Sequence, residues 1–171
     1  MHEGLYVVMG VAGAGKSAIG SALAQALDVV FVEGDAYHPP ENIAKMARGI
    51  PLTDGDRAGW LRALATRIAE AALAGTGLVV ACSALKRAYR DILRSAVPDG
   101  DLQFIFLHGS RTVLAERLAR RQGHFMPPAL LDSQLATLEV PAPDEGAWVC
   151  DITQSPDEIV AGLLTRVHHD A

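Results

Sequence analysis

The 171-residue chain is long enough for one compact domain, and at this size roughly 70% of the unfolded chain's surface can be buried without staples. Hydrophobic residues make up 50% and charged residues 20%, which excludes a disordered chain, and the net charge of −5 argues against a nucleic-acid surface. No apolar run approaches the ~20 residues of a membrane span, and the N-terminal stretch lacks the pattern of a signal peptide, so a cytoplasmic protein without membrane or nucleic-acid partners is expected.

Short apolar runs alternate with amphipathic segments along the chain. Leu5 to Met9 reads as the first strand and Lys16 to Leu27 as the first helix, with a glycine-rich turn between them. Val29 to Val32 is the second strand, followed by helical patterns over Pro40 to Arg48 and Asp56 to Ala74. Leu78 to Cys82 and Leu102 to Leu107 are strands separated by a helix over Lys86 to Ala96. Helices over Ser110 to Gln122 and Pro128 to Leu138 precede a last strand, Trp148 to Ile152. The final helix runs from about Pro156 to Val167, with Ser155 as its N-cap. This alternation predicts an α/β domain with a five-stranded parallel sheet between two layers of helices. Cys82 and Cys150 each end an apolar run and are expected as buried, reduced thiols; no Cys/His spacing resembles a zinc site.

The turn after the first strand, GVAGAGKS, fits G-x-x-x-x-G-K-[ST] without a mismatch. Its glycines let backbone N–H groups turn inward around phosphate oxygens, and the following helix points its positive end at them. The nucleotide-binding set is Gly10, Gly13, Ala14, Gly15, Lys16, Ser17 and Ala18, with Lys16 reaching the β/γ-phosphates and the Ser17 hydroxyl ligating Mg²⁺. A GTPase would carry N-K-x-D, which is absent, and a motor-type ATPase would carry an acidic pair at a strand end, where this chain has Cys82-Ser83. The carboxylate on the metal side must come from elsewhere. The second strand ends FVEGD, supplying Glu33 and Asp35 at the crevice formed by strand ends. An acid there either holds Mg²⁺ or accepts the proton of an attacking hydroxyl.

Beyond it, His38, Lys45, Arg48, Asp54, Asp56, Arg57 and Trp60 cluster in sequence. Arg57 stands out because a cation at a helix start opposes the helix dipole. The block EGDAYHPPENIAKMARGIPLTDGDRAGWL carries Asp35, His38, Pro39, Asn42, Lys45, Met46, Gly49, Pro51, Leu52, Asp54, Asp56, Arg57, Trp60 and Leu61. Those residues resemble the gluconokinase pattern D-G-D-x-x-H-P-x-x-N-x-x-K-M-x-x-G-x-P-L-x-D-x-D-R-x-x-W-L. CSALKRAYRD (Cys82 to Asp91) and RLARRQGHFM (Arg117 to Met126), with Gln134, Leu138 and Glu139, resemble its later blocks. Glu33 departs from the pattern, which more often has Asp there.

The resemblance, to small P-loop kinases similar in architecture to shikimate kinase, covers nearly the whole chain. It implies a single P-loop kinase domain over residues 1–171, with acceptor-binding helices about 39–75 and a mobile lid about 122–139. It implies that ATP, with Mg²⁺ held by Ser17 and Glu33, phosphorylates the 6-hydroxyl of D-gluconate in a cytoplasmic homodimer. Lys16, Asp35 and Arg121 become the catalytic set. Asp35, His38, Lys45, Arg57, Lys86, Arg87, Arg90 and His124 become the substrate-binding set, with Arg57 first choice for the substrate carboxylate and Lys86, Arg87 and Arg90 as rival cations. Arg117 and Arg121 are assigned to phosphate and adenine, and the Thr153-Gln154-Ser155-Pro156 turn to the adenine edge, adding Gln154 and Pro156 to the ATP site. A kinase for another small acceptor, such as shikimate, and an inactive nucleotide-binding regulatory module are the alternatives.

Overall fold

The computed structural model describes residues 4–120 and 128–170. Five parallel strands, β1 (Leu5–Met9), β2 (Val30–Glu33), β3 (Leu78–Ala81), β4 (Leu102–His108) and β5 (Trp148–Asp151), lie in the order β2-β3-β1-β4-β5. The helices are α1 (Lys16–Leu27), α2 (Pro40–Ala47), α3 (Asp54–Ala74), α4 (Arg87–Arg94), α5 (Arg111–Arg120), α6 (Pro128–Thr137) and α7 (Pro156–Asp170). The three-layer arrangement agrees with the sequence reading.

The central strands are apolar throughout because helices cover both faces of the sheet, and successive residues serve opposite cores. Leu5, Val7 and Met9 of β1 join one core with Trp60, Leu61, Leu64 and Ile68 of α3. Tyr6 and Val8 join the other with Ile19 and Leu23 of α1 and Ile159 and Leu163 of α7. The longest helix, α3, is fastened by Trp60, Leu61, Leu64, Ile68 and Ala71, all buried and spaced along one stripe. Each large apolar side chain fully buried there is worth about 1.5–3 kcal/mol, enough to hold a first turn rich in charge against the sheet.

Most elements shift by a residue or two from expectation, and two short turns are added. α3 starts at Asp54, two residues early, because Thr53 is its N-cap: the Asp56 N–H donates to Thr53 Oγ1 and the Thr53 N–H donates to Asp56 Oδ2. The residues after β2 form a 3-10 turn, Gly34–Tyr37, and a second 3-10 turn covers Pro143–Glu145. At the start of α7 the Ser155 cap holds as expected, the Glu158 N–H donating to Ser155 Oγ. Among the described residues no helix is long and apolar enough to cross a membrane.

Parallel pairing places every strand's carboxyl end on one edge. Val8 of β1 and Glu33 of β2 are both in register with Ala81 of β3. The turn after β1, the acidic segment after β2 and the Cys82–Lys86 loop after β3 therefore converge.

Candidate active site

Gly13 and Gly15 adopt φ of 86° and 94°, a left-handed backbone that a side chain would strain, and Gly15 caps α1. The loop is braced from three sides. Lys16 Nζ donates to the Val11 carbonyl at 3.2 Å, and the Gly10 N–H donates to the Ser83 carbonyl at 3.3 Å. The Ala12 N–H donates to Oε1 of Gln134 at 2.7 Å. Gln134, present in the sequence motif without a role, lies 122 residues away on α6, and no local pattern announces such a contact.

The Ser17 hydroxyl donates to Glu33 Oε2 at 2.5 Å. This brings together the two oxygen ligands expected for Mg²⁺ and puts Glu33 against the P-loop. No cluster of three or more His, Cys, Asp or Glu suited to a metal occurs among the described residues. A hydroxyl beside a carboxylate suits an ion that takes its remaining ligands from nucleotide phosphates and water. Cys82, fully buried nearby, has its thiol pushed up to about 12 by burial and is no nucleophile.

The acceptor side begins at Gly34. A Cβ there would lie 2.3 Å from the Ala81 carbonyl oxygen, so only glycine lets the chain cross β3 so closely. Asp35 follows, its side chain 80% exposed, while the His38 side chain is only 4% exposed. His38 stacks on Trp60 with ring centres 4.1 Å apart, and Trp60 Nε1–H donates to the Gly34 carbonyl at 2.8 Å. Burial, aided by the Arg57 charge and opposed by Asp35, lowers the His38 pKa, leaving the ring neutral at pH 7.

The expected cations divide into two groups. Arg57 and Lys86 flank Tyr89, each 5.6 Å from its ring centre, and Arg57 Nη1 donates to the Tyr89 hydroxyl at 3.2 Å. Tyr89 Oη and Lys86 Nζ both donate to Asp54 Oδ1, at 2.5 and 3.2 Å. These contacts, with the Tyr89 hydrogen bond foremost, hold the Asp54 carboxyl below its usual range. Lys45 grips Asp56 through both carboxylate oxygens, at 3.0 and 2.9 Å, which pulls that carboxyl down to about 2. Arg87 turns to Asp144, on the segment before β5.

Arg90 corrects the sequence reading. It is wholly buried, and its guanidinium donates to Glu145, the Ala84 carbonyl and the Glu139 carbonyl. Four of its five N–H donors are engaged and the side chain is closed off from solvent, so it braces the loop after β3, where Ala84 sits at a left-handed φ of 46°. Glu145, with a side chain 1% exposed, also takes Arg94, and the Arg90 hydrogen bonds dominate in lowering its pKa to about 2.

Arg121 and His124, with residues 122–127 of the expected lid, lie outside the described residues. The later part of that expected cover contacts the rest of the domain in this structure. Leu131 is buried, the Glu139 N–H donates to the Leu85 carbonyl at 2.7 Å, and the Arg87 N–H donates to Glu139 Oε1 at 3.0 Å. Arg117 donates from Nη2 to the Ile152 carbonyl, beside the turn carrying Gln154 and Pro156. The sequence motif contains Asn42 and Tyr89 but gave neither a role.

Comparison with known proteins fits this layout. A family model described as an AAA domain matches residues 5–141. The gluconokinase of Gluconobacter oxydans strain 621H is 49% identical over 92% of this chain and 88% of its own length. The thermoresistant gluconokinase of Escherichia coli K12 is 45% identical, covering 94% and 91%. A crystal structure of a gluconokinase from Sinorhizobium meliloti 1021 superposes with a TM-score of 0.86 at 49% identity, covering 99% of this chain and 98% of that one. A shikimate kinase from Bacteroides thetaiotaomicron, at 19% identity and a TM-score of 0.70, shares the fold.

Proposed function

Because the chain belongs to the gluconokinase family, we propose that it transfers the γ-phosphoryl group of ATP to the 6-hydroxyl of D-gluconate, giving 6-phospho-D-gluconate and ADP. One observation carries the reading. The phosphate loop and an acid-and-cation acceptor segment share the carboxyl edge of one parallel sheet, so donor and recipient meet there.

Backbone N–H groups of the P-loop and Lys16 cradle the β- and γ-phosphates. Ser17 and Glu33 would hold Mg²⁺, which would supply charge neutralisation for the phosphates. Asp35 accepts the proton of the 6-hydroxyl as that oxygen bonds to phosphorus and the bond to the departing ADP oxygen breaks. Arg57 takes the gluconate carboxylate at the far end of the sugar acid, with Lys86 beside it across Tyr89. Asp54 occupies Lys86 and Tyr89 without substrate, so it keeps that cation placed until the substrate's own carboxylate arrives. The Thr153–Pro156 turn and Arg117 serve the adenine and phosphate side. The same reading extends to a homodimer working in the cytoplasm.

A coupled assay of ADP release tests the proposal, run with D-gluconate, shikimate, a nucleoside monophosphate and no acceptor. Turnover is expected with gluconate alone. Turnover with another acceptor would reassign the substrate, and nucleotide binding without turnover would make the chain a regulatory module.

A further inference from the structure

The acceptor side contains a hydrogen-bond relay that the mechanism above leaves unused. Asn42 is 2% exposed, and its side-chain nitrogen lies 2.9 Å from the Asp56 carbonyl oxygen and 3.2 Å from Nδ1 of His38. A carbonyl oxygen only accepts, so the group Asn42 turns toward Asp56 is its NH₂, and the second hydrogen of that NH₂ is directed at His38. Nδ1 is then the bare, accepting nitrogen of the neutral ring, and the proton resides on Nε2. Nε2 faces Asp35, 4.0 Å from Oδ1. Rotation of the ring is blocked by the stack on Trp60, itself tied to Gly34. The charges acting on the ring are Asp35 from the 3-10 turn and Arg57 from α3, while α2 presents the neutral Asn42.

A gap of 4.0 Å is too long for a direct hydrogen bond, but one oxygen about 2.8 Å from each atom closes it. A hydroxyl in that place donates to Asp35 and accepts from His38. The transferring hydroxyl suits it poorly, because an N–H bound there withdraws electron density that must reach phosphorus. Its vicinal neighbour has no such task, and the two oxygens of a carboxylate can engage adjacent hydroxyls together.

We propose that Asn42 fixes His38 as an Nε2–H donor, and that this donor and Asp35 together read the hydroxyl vicinal to the one phosphorylated. The proposal rests on gluconate as the acceptor and names its 5-hydroxyl as the group read. Asn42 is a positioning residue that acts through His38.

Nitrogen-15 NMR of the imidazole in the free protein tests the first half without any substrate. The wild type is expected to show the Nε2–H tautomer. Asn42→Asp, whose carboxylate can only accept, should move the proton to Nδ1 or charge the ring, and Asn42→Leu should give a mixture. A wild-type ring protonated on Nδ1 overturns the proposal, as does one unchanged tautomer in all three proteins. The second half is read from kcat/KM for D-gluconate and 5-deoxy-D-gluconate in wild type and His38→Ala. Loss of the 5-hydroxyl should lower the wild-type value by roughly 10–100-fold, and His38→Ala should show a much smaller penalty because the donor is already gone. Equal penalties in both enzymes overturn it. Absence of gluconate turnover in the wild type would instead defeat the assignment of substrate, and the NMR result stands apart from that outcome.

Discussion

The two ends of the site are built by different means. The phosphate end is backbone: glycines at left-handed φ, N–H groups turned inward and a helix N-terminus, with Lys16 and Ser17 as its chief side-chain contributors. At the acceptor end side chains hold other side chains: His38 on Trp60 and Asn42, Lys45 on Asp56, and Arg57 and Lys86 around Tyr89 and Asp54. A backbone cradle is specified by a few consecutive residues. A side-chain site depends on partners as far apart as Asp54 and Tyr89, so the loss of one member unsettles several others. The phosphate end should therefore bind nucleotide in almost any acceptor-side variant, while catalysis and acceptor affinity fail separately.

The sharpest way to break this division is Asp35→Asn. Turnover is expected to fall by about 10²–10⁴-fold, the range for loss of a general base, with ATP affinity held within about twofold. Steady-state kinetics and nucleotide titration check it, and unimpaired turnover would remove Asp35 from the chemistry. Next in size is Glu145→Gln, which leaves Arg90 charged and buried without its counter-ion. A loss of about 3–5 kcal/mol is expected in urea denaturation. Glu145 also sets a pH dependence. Its folded pKa, about 2, lies below its ordinary 4.5, so its contribution is complete above pH 4.5 and drains away as the pH falls toward 2. Acid denaturation of the Gln variant should lack that component. The smallest effect expected is Arg57→Ala, a rise in KM for gluconate of roughly 10–100-fold with KM for ATP unchanged, since one charge-assisted contact is lost. A change confined to ATP would move the carboxylate site elsewhere.

The same contrast explains what the sequence made legible. The five strands and seven helices of the described residues could be read, because apolar runs buried on two faces and striped helices leave plain patterns. The P-loop was legible from its spacing alone. The acceptor side was recognisable through its resemblance to a family, yet the division of labour among its cations was not. Arg90 and Arg57 look equally basic in sequence, and only the fold buries one against Glu145 and sets the other on Tyr89. Thr53 as a cap could have been found from Asp56 three residues on; Gln134 reaching the P-loop could not.

Gly34 and Trp60 carry one more consequence. The indole suspends α3 from the carbonyl next to Asp35, and Arg57 sits one helical turn before that suspension point. Since the chain at Gly34 passes too close to Ala81 for even a Cβ, pull on the arginine should reach the proton-accepting group as through a short strut. A sugar alcohol of equal length would thus forfeit alignment along with its anchor. It should be a sluggish recipient even at concentrations that fill the crevice.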